Sequence, residues 1–259
     1  MSVHERPWAD GTPCWAQLTV PDLEAGRRFY GDLLGWTFDV GPAETGFYSQ
    51  GLVGGRPAAA LGGVMPGGED EPVAWLTFLA TADAAATQER AVAAGARVQV
   101  PVAPVMDFGS MAVLTDPAGA TVALWQAGRT LGATVVNEPG AMIWNEHLSA
   151  HPAEARAFYR AVFGYGVTDM SAPGFDYATV EVDGRPVGGI GGGADAASWE
   201  VYFAVTDTDA ATERAVRLGG AVVSPASDTT YGRLAGVTGP FGERFWLMST
   251  DEEPSAPAA

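Results

Sequence analysis

Side chains that could carry chemistry are few in this chain, and the most pointed of them is Glu146. It follows Trp144 by two residues in a short apolar segment. Strand side chains alternate with period two, so both are expected on one face. A carboxyl among tryptophans has its pKa raised by desolvation and could serve as a general acid or base. Tyr231 and Arg233 are the residues that could assist it. The same carboxyl could instead sit in a structural ion pair, with Arg233 as the partner. His147, next in sequence, is expected to point away from Glu146, at a surface or an interface. His151 and His4 are ordinary by position, and Ser149 is a better helix cap than His151. Cys14 opens a strand with no histidine placed to activate it, which reads as a buried thiol.

Composition removes other chemistries. All 14 basic residues are arginine, so neither a phosphate-loop lysine nor a Schiff-base lysine exists. A formal charge of −17 disfavours nucleic acid. One cysteine allows no internal disulfide, in keeping with a reducing cytoplasm. No apolar run approaches the length of a membrane span, and Met1 to Gly11 lacks an apolar signal core. The glycine-rich stretches around Gly54, Gly62 and Gly188 to Gly193 interrupt strands instead of opening helices. They read as bulges and close sheet contacts, not as phosphate loops. The acidic runs Glu69 to Glu71 and Asp251 to Glu253 read as solvated loops.

The elements that must position these residues come in two copies. Trp15, Phe29-Tyr30, Gly35 and Gly55-Arg56-Pro57 recur 129 residues later as Trp144, Phe158-Tyr159, Gly164 and Gly184-Arg185-Pro186. The offset falls to 124 at Trp75 and Trp199, and to 123 at Gly119 and Gly242. The drift places a deletion in the loop from Val64 to Pro72. Modules over 9–127 and 138–250 follow, with a linker at 128–137 and a polar tail at 251–259 that is expected to be disordered. Each copy reads as strand, helix and three strands, twice over. Asp22 caps a helix over Leu23 to Leu34 that Gly35 ends, and a second helix runs from about Asp83 to Ala94. The fold class is α+β: two tandem modules of βαβββ units, each a curled mixed-sheet trough with flanking helices. One trough cannot bury both faces alone, so the modules pair. Internal pairing would give a monomer, and exchange between chains a homodimer; the short linker favours the former.

The run Val20-Pro21-Asp22-Leu23, Phe29-Tyr30 and Leu34-Gly35-Trp36, with Ala93-Ala94-Gly95-Ala96 and Asp116-Pro117-Ala118-Gly119, resembles the vicinal oxygen chelate superfamily. That superfamily includes glyoxalase I, bleomycin-resistance proteins and extradiol dioxygenases. Asn137-Glu138-Pro139-Gly140 with Trp144-Asn145-Glu146 is similar to a two-module actinobacterial branch labelled glyoxalase-like or "hydroxylase". In metal-dependent members the ligands lie on the trough face. The resemblance carries them onto Trp15 and Trp144, then Trp75 and Trp199, then Ala123 and Trp246. Tryptophan has no lone pair for a metal, so no metal site and no cofactor is expected.

An aromatic cup would replace the metal cup. Trp15, Trp75 and Trp125 with Gln17, Phe108 and Met111 would line the first. Trp144, Trp199 and Trp246 with Glu146, Tyr231 and Met248 would line the second. Such cups suit a flat aromatic or polyketide-like molecule, and the same tryptophans could equally be core packing. Two functions follow: a metal-independent binding protein for a small aromatic compound, or a cofactor-free enzyme using Glu146 for proton transfer. A metal-dependent glyoxalase or dioxygenase is the less favoured third. No nucleic-acid or membrane partner is expected.

Overall fold

The computed structural model describes residues 2–64, 67–68 and 72–249, and the acidic loop run and the C-terminal tail lie outside them. The chain opens with β1 (Ser2–Val3) and β2 (Pro13–Val20), followed by α1 (Leu23–Leu34), β3 (Thr37–Val40), β4 (Ser49–Val53) and β5 (Arg56–Gly63). The unit then repeats as β6 (Trp75–Ala80), α2 (Ala84–Ala93), β7 (Arg97–Val105), β8 (Gly109–Thr115) and β9 (Thr121–Ala127). A short β10 (Val135–Val136) pairs with β1. The second module repeats the order: β11 (Met142–Leu148), α3 (Pro152–Phe163), β12 (Gly166–Asp169), β13 (Tyr177–Val182), β14 (Arg185–Gly191), β15 (Ser198–Ala204), α4 (Thr208–Arg217), β16 (Ala221–Thr229), β17 (Gly232–Thr238) and β18 (Arg244–Ser249).

Local sequence accounts for the helices. Asp22 accepts a hydrogen bond from the Ala25 amide at 2.9 Å, and Gly35 ends α1 at φ 73°, where a side chain would be strained. Phe29, Tyr30, Leu33 and Leu34 form the buried stripe of α1. Asp83 and Asp207 cap α2 and α4 in the same way. At α3 the cap is His151 without a side-chain bond, and Pro152 opens the helix with a φ already suited to it.

Each module is one eight-stranded sheet made of two βαβββ units. The first runs β3-β4-β5-β2-β6-β9-β8-β7, the second β12-β13-β14-β11-β15-β18-β17-β16. The units meet at antiparallel pairs, β2 with β6 and β11 with β15, while β2 with β5 and β6 with β9 are parallel. One face of each sheet packs against helices and the other module. The opposite face is a trough.

The core lies between the modules. Tyr30 of α1 packs on Phe245 of the second module, and Trp36 and Trp75 pack on Phe203. Thr77 donates to Asn145 across the sheet backs at 3.2 Å. Trp36 Nε1–H donates to the Gly140 carbonyl at 2.6 Å, tying the first module to the start of the second.

Candidate functional site

Strand register decides which side chains reach a trough. In the first module Trp15 lies opposite Phe78, and Gln17 opposite Leu76. Phe78 is level with Ala123, and Trp125 faces Met111. These residues share the trough face. Trp75 lies opposite Leu18, a core residue, so it faces the other way. It packs edge-on against Tyr30 and Phe203. Trp199 likewise lies opposite His147 and packs on Tyr159. The expectation that Trp75 and Trp199 line the cups is therefore corrected: each lies on the core phase of its strand, and the next residue, Leu76 or Glu200, takes the trough face.

The first trough is a cavity of about 540 Å³. Trp15, Phe78, Trp125, Phe108 and Met111 supply its apolar lining, with Gln17, Gln50 and Tyr48 among the polar groups. Trp15 Nε1–H donates to the Tyr48 hydroxyl at 3.0 Å, and burial pushes that phenol up to about 12. Trp125 Nε1–H donates to the Thr130 carbonyl at 3.0 Å. Arg129 stands over the Phe108 ring at 4.7 Å and pairs with Asp107 at 3.3 Å. The rings are thus fixed by their own polar edges and leave their faces for a ligand.

The second trough has a different character. Trp144, Glu146, Tyr202, Trp246 and Met248 share its face. The Tyr202 hydroxyl donates to Glu146 Oε1, and Tyr202 stacks on Trp246 at 5.3 Å. Trp144 Nε1–H donates to the Tyr177 hydroxyl at 3.0 Å. Burial raises the Glu146 pKa, the Tyr202 and Tyr177 hydroxyls oppose the rise, and Glu200 adds to it. The partner of Glu146 is therefore tyrosine, not Arg233. Arg233 turns to the helix side, bonding Asp209 at 2.6 and 3.0 Å and Asp228 at 2.8 Å. Tyr231 is 59% exposed on the β16–β17 turn. The proposed trio of Glu146, Tyr231 and Arg233 is not assembled, because alternation along β17 sends Leu234, not Arg233, into the trough beside Met248.

His147 points away from the trough and is wholly buried at the module interface, the second of the two places expected for it. Its Nε2 lies 2.9 Å from Asp116 Oδ2. Cys14 is buried as a free thiol, its pKa pushed up by burial. Sequence reasoning missed Tyr48, Tyr177, Gln50, Phe78, Glu200 and Tyr202. The repeat carries the signal for two pairs of them: Tyr48 and Tyr177 stand 129 residues apart, and Phe78 and Tyr202 stand 124 apart.

A back-to-back pair of eight-stranded sheets, each built from two βαβββ units, defines the structural class. Residues 14–124 match the Glyoxalase/Bleomycin resistance protein/Dioxygenase superfamily, and residues 141–248 match a glyoxalase-like domain. A Mycobacterium tuberculosis protein named "Putative glyoxylase CFP32" is 39% identical, with 93% of this chain and 95% of the relative covered. The anthracycline biosynthesis protein DnrV of Streptomyces peucetius is 34% identical, with 95% of each covered. The Mn(II)-bound glyoxalase from Novosphingobium aromaticivorans shares the fold, with a TM-score of 0.68 at 16% identity over 95% of this chain and 84% of that one. The chain belongs to the glyoxalase/bleomycin resistance protein/dioxygenase superfamily.

That fold neighbour holds manganese, so the donor sets here must be tested against a metal. The first trough offers Gln17, Leu76, Phe78 and Ala123, which is no set of ligands. The second offers Glu146 and Glu200, opposite one another, and then Trp246. Tyr202 already occupies Glu146, and Ser198 donates to Glu200 at 2.8 Å. Among the described residues no three of His, Cys, Asp and Glu are grouped to hold a metal ion. These residues do not fit the group.

Proposed function

We propose that the protein binds a small, flat aromatic or polyketide-like compound in the trough of its first module, without a metal. The observation that carries this reading is the cavity of about 540 Å³ walled by Trp15, Phe78, Trp125, Phe108 and Met111. Stacking on such faces contributes roughly 0.5–1.5 kcal/mol per aromatic contact beyond area burial. A relative named for anthracycline biosynthesis supports the same class of ligand. The poor donor sets in both troughs support metal independence. Modules over 9–127 and 138–250, joined within one chain as a monomer in the cytoplasm, complete the reading.

Tryptophan fluorescence titrated with a dihydroxyanthraquinone tests it. Saturable quenching is expected, unchanged after dialysis against chelator. Trp15→Ala should weaken binding about tenfold, one aromatic contact's worth. Unchanged affinity in Trp15→Ala, or loss of binding on chelation that added manganese restores, would overturn the reading.

A second reading is a cofactor-free enzyme with Glu146 as its proton carrier, which the raised pKa of Glu146 favours. Its weakness is position, since Glu146 lies in the other trough beneath Tyr177 and Tyr202. Loss of turnover in Glu146→Gln with binding retained would establish it.

A further inference from the structure

Resting on the first trough as the ligand site, we infer that Gln17 and Gln50 read the oxygenated edge of the ligand. The ligand class is then an uncharged hydroxy-carbonyl aromatic, not a bare hydrocarbon or an anion. Register sets the two side by side in a row across three strands: Gln50 lies opposite Ala60, and Ala60 is level with Gln17. Both border the cavity. Both are half-buried, and among the described residues neither side-chain amide has a hydrogen-bond partner. The indole N–H groups of the cavity are engaged: Trp15 donates to the Tyr48 hydroxyl, and Trp125 donates to the Thr130 carbonyl.

The chemistry follows from the groups. A carboxamide offers two N–H donors and a carbonyl acceptor without charge. A pair of them matches hydroxyl and carbonyl oxygens spaced along one ring edge. Carboxylates of Asp39 and Glu44 stand at the rim, and Arg129 is matched by Asp107, so the mouth gives an anion no welcome. A ligand that closed over the floor without oxygens would bury both amides unpaired, the condition under which a site rejects an analogue strongly. The pair is particular to this module. The second trough has Glu146 and Thr179 at the matching places, flanking Gly189.

The test compares a dihydroxyanthraquinone with anthracene, which has the same three rings and no oxygen. Wild type is expected to bind the oxygenated probe at least tenfold more tightly. The double variant Gln17→Leu/Gln50→Leu should reduce that preference to within about threefold, the oxygenated probe losing affinity and anthracene gaining it as the unpaired amides are removed, and Gln50→Leu alone should fall between. Circular dichroism melts check that each variant is folded. A preference unchanged in both variants overturns the inference and leaves the trough as the ligand site. Binding of both probes that Trp15→Ala does not weaken, or no binding of either, fails the trough itself and the inference with it.

Discussion

Glu146 holds a carboxyl where water is nearly excluded, with an 8% exposed side chain beneath two tyrosines. Its folded pKa is raised, first by burial. A carboxyl that binds its proton more tightly when folded adds stability below its unfolded value of 4.5 and loses that contribution as pH rises through the folded value. Glu146→Gln removes the titration and keeps the shape and an acceptor for Tyr202. The variant should therefore gain melting temperature relative to wild type as pH rises from about 4.5 toward 7. Melting curves across that range check this, and a difference that stays flat with pH would contradict it. Ligand affinity in the first trough should be unchanged in the same variant.

At the scale of the strand, one residue separates the floors of the two troughs. Tyr48 and Tyr177 are repeat mates, each taking an indole N–H from the tryptophan of its module's first strand. Beneath Tyr177 lies Gly189, where a Cβ would collide with the phenol hydroxyl. At the equivalent place beneath Tyr48 stands Ala60. The glycine lets Tyr177 settle toward Glu146, and the methyl of Ala60 holds the first floor clear of its tyrosine. Gly189→Ala should expel Tyr177 from the floor and cost about 1–3 kcal/mol, as overpacking does. Fluorescence of Trp144 should report the lost hydrogen bond; a melt and spectrum like wild type would refute the account. This pairing also shows what the sequence made legible. The repeat offset, the caps at Asp22 and Asp83 and the trough positions of Trp15, Gln17, Trp125 and Trp144 follow from local pattern. Trp75 and Trp199 did not, because facing depends on register with the neighbouring strand, and a register slip of one residue reverses every side chain.

Across the whole molecule the modules are joined by two related seams that should answer pH in opposite senses. In one, the Tyr30 hydroxyl donates to Glu243 Oε1 at 2.7 Å. In the other, Tyr159 donates to Asp116 Oδ2 at 2.8 Å and itself accepts from Trp199 at 2.7 Å. The seams differ in their acids, since by the repeat Asp116 is matched by Gly239 and Glu243 by Ala120, and in an imidazole: His147 stands at Asp116, and its repeat mate is Leu18. Burial raises the Glu243 pKa, with Tyr30 opposing it. At Asp116 burial works the same way, but His147, Tyr159 and the Ala120 amide outweigh it and the pKa is lowered. The Glu243 contribution is therefore full below its unfolded value of 4.5 and lost as pH rises through the raised folded value. The Asp116 contribution is present above its unfolded value of 3.8 and lost as pH falls through the depressed one. Replacing His147 by leucine, the residue of its repeat mate, would leave Asp116 a buried acid without its imidazole. His147→Leu should cost about 1–3 kcal/mol near neutral pH, where a buried charged acceptor loses a partner. The penalty should shrink on acidification, as protonation of Asp116 removes the charge in need of compensation. Glu243→Gln should show the reverse trend, gaining on wild type as pH rises. Denaturant melts of both variants from about pH 3 to 8 decide it: parallel pH profiles would mean that His147 does not set the difference between the two seams.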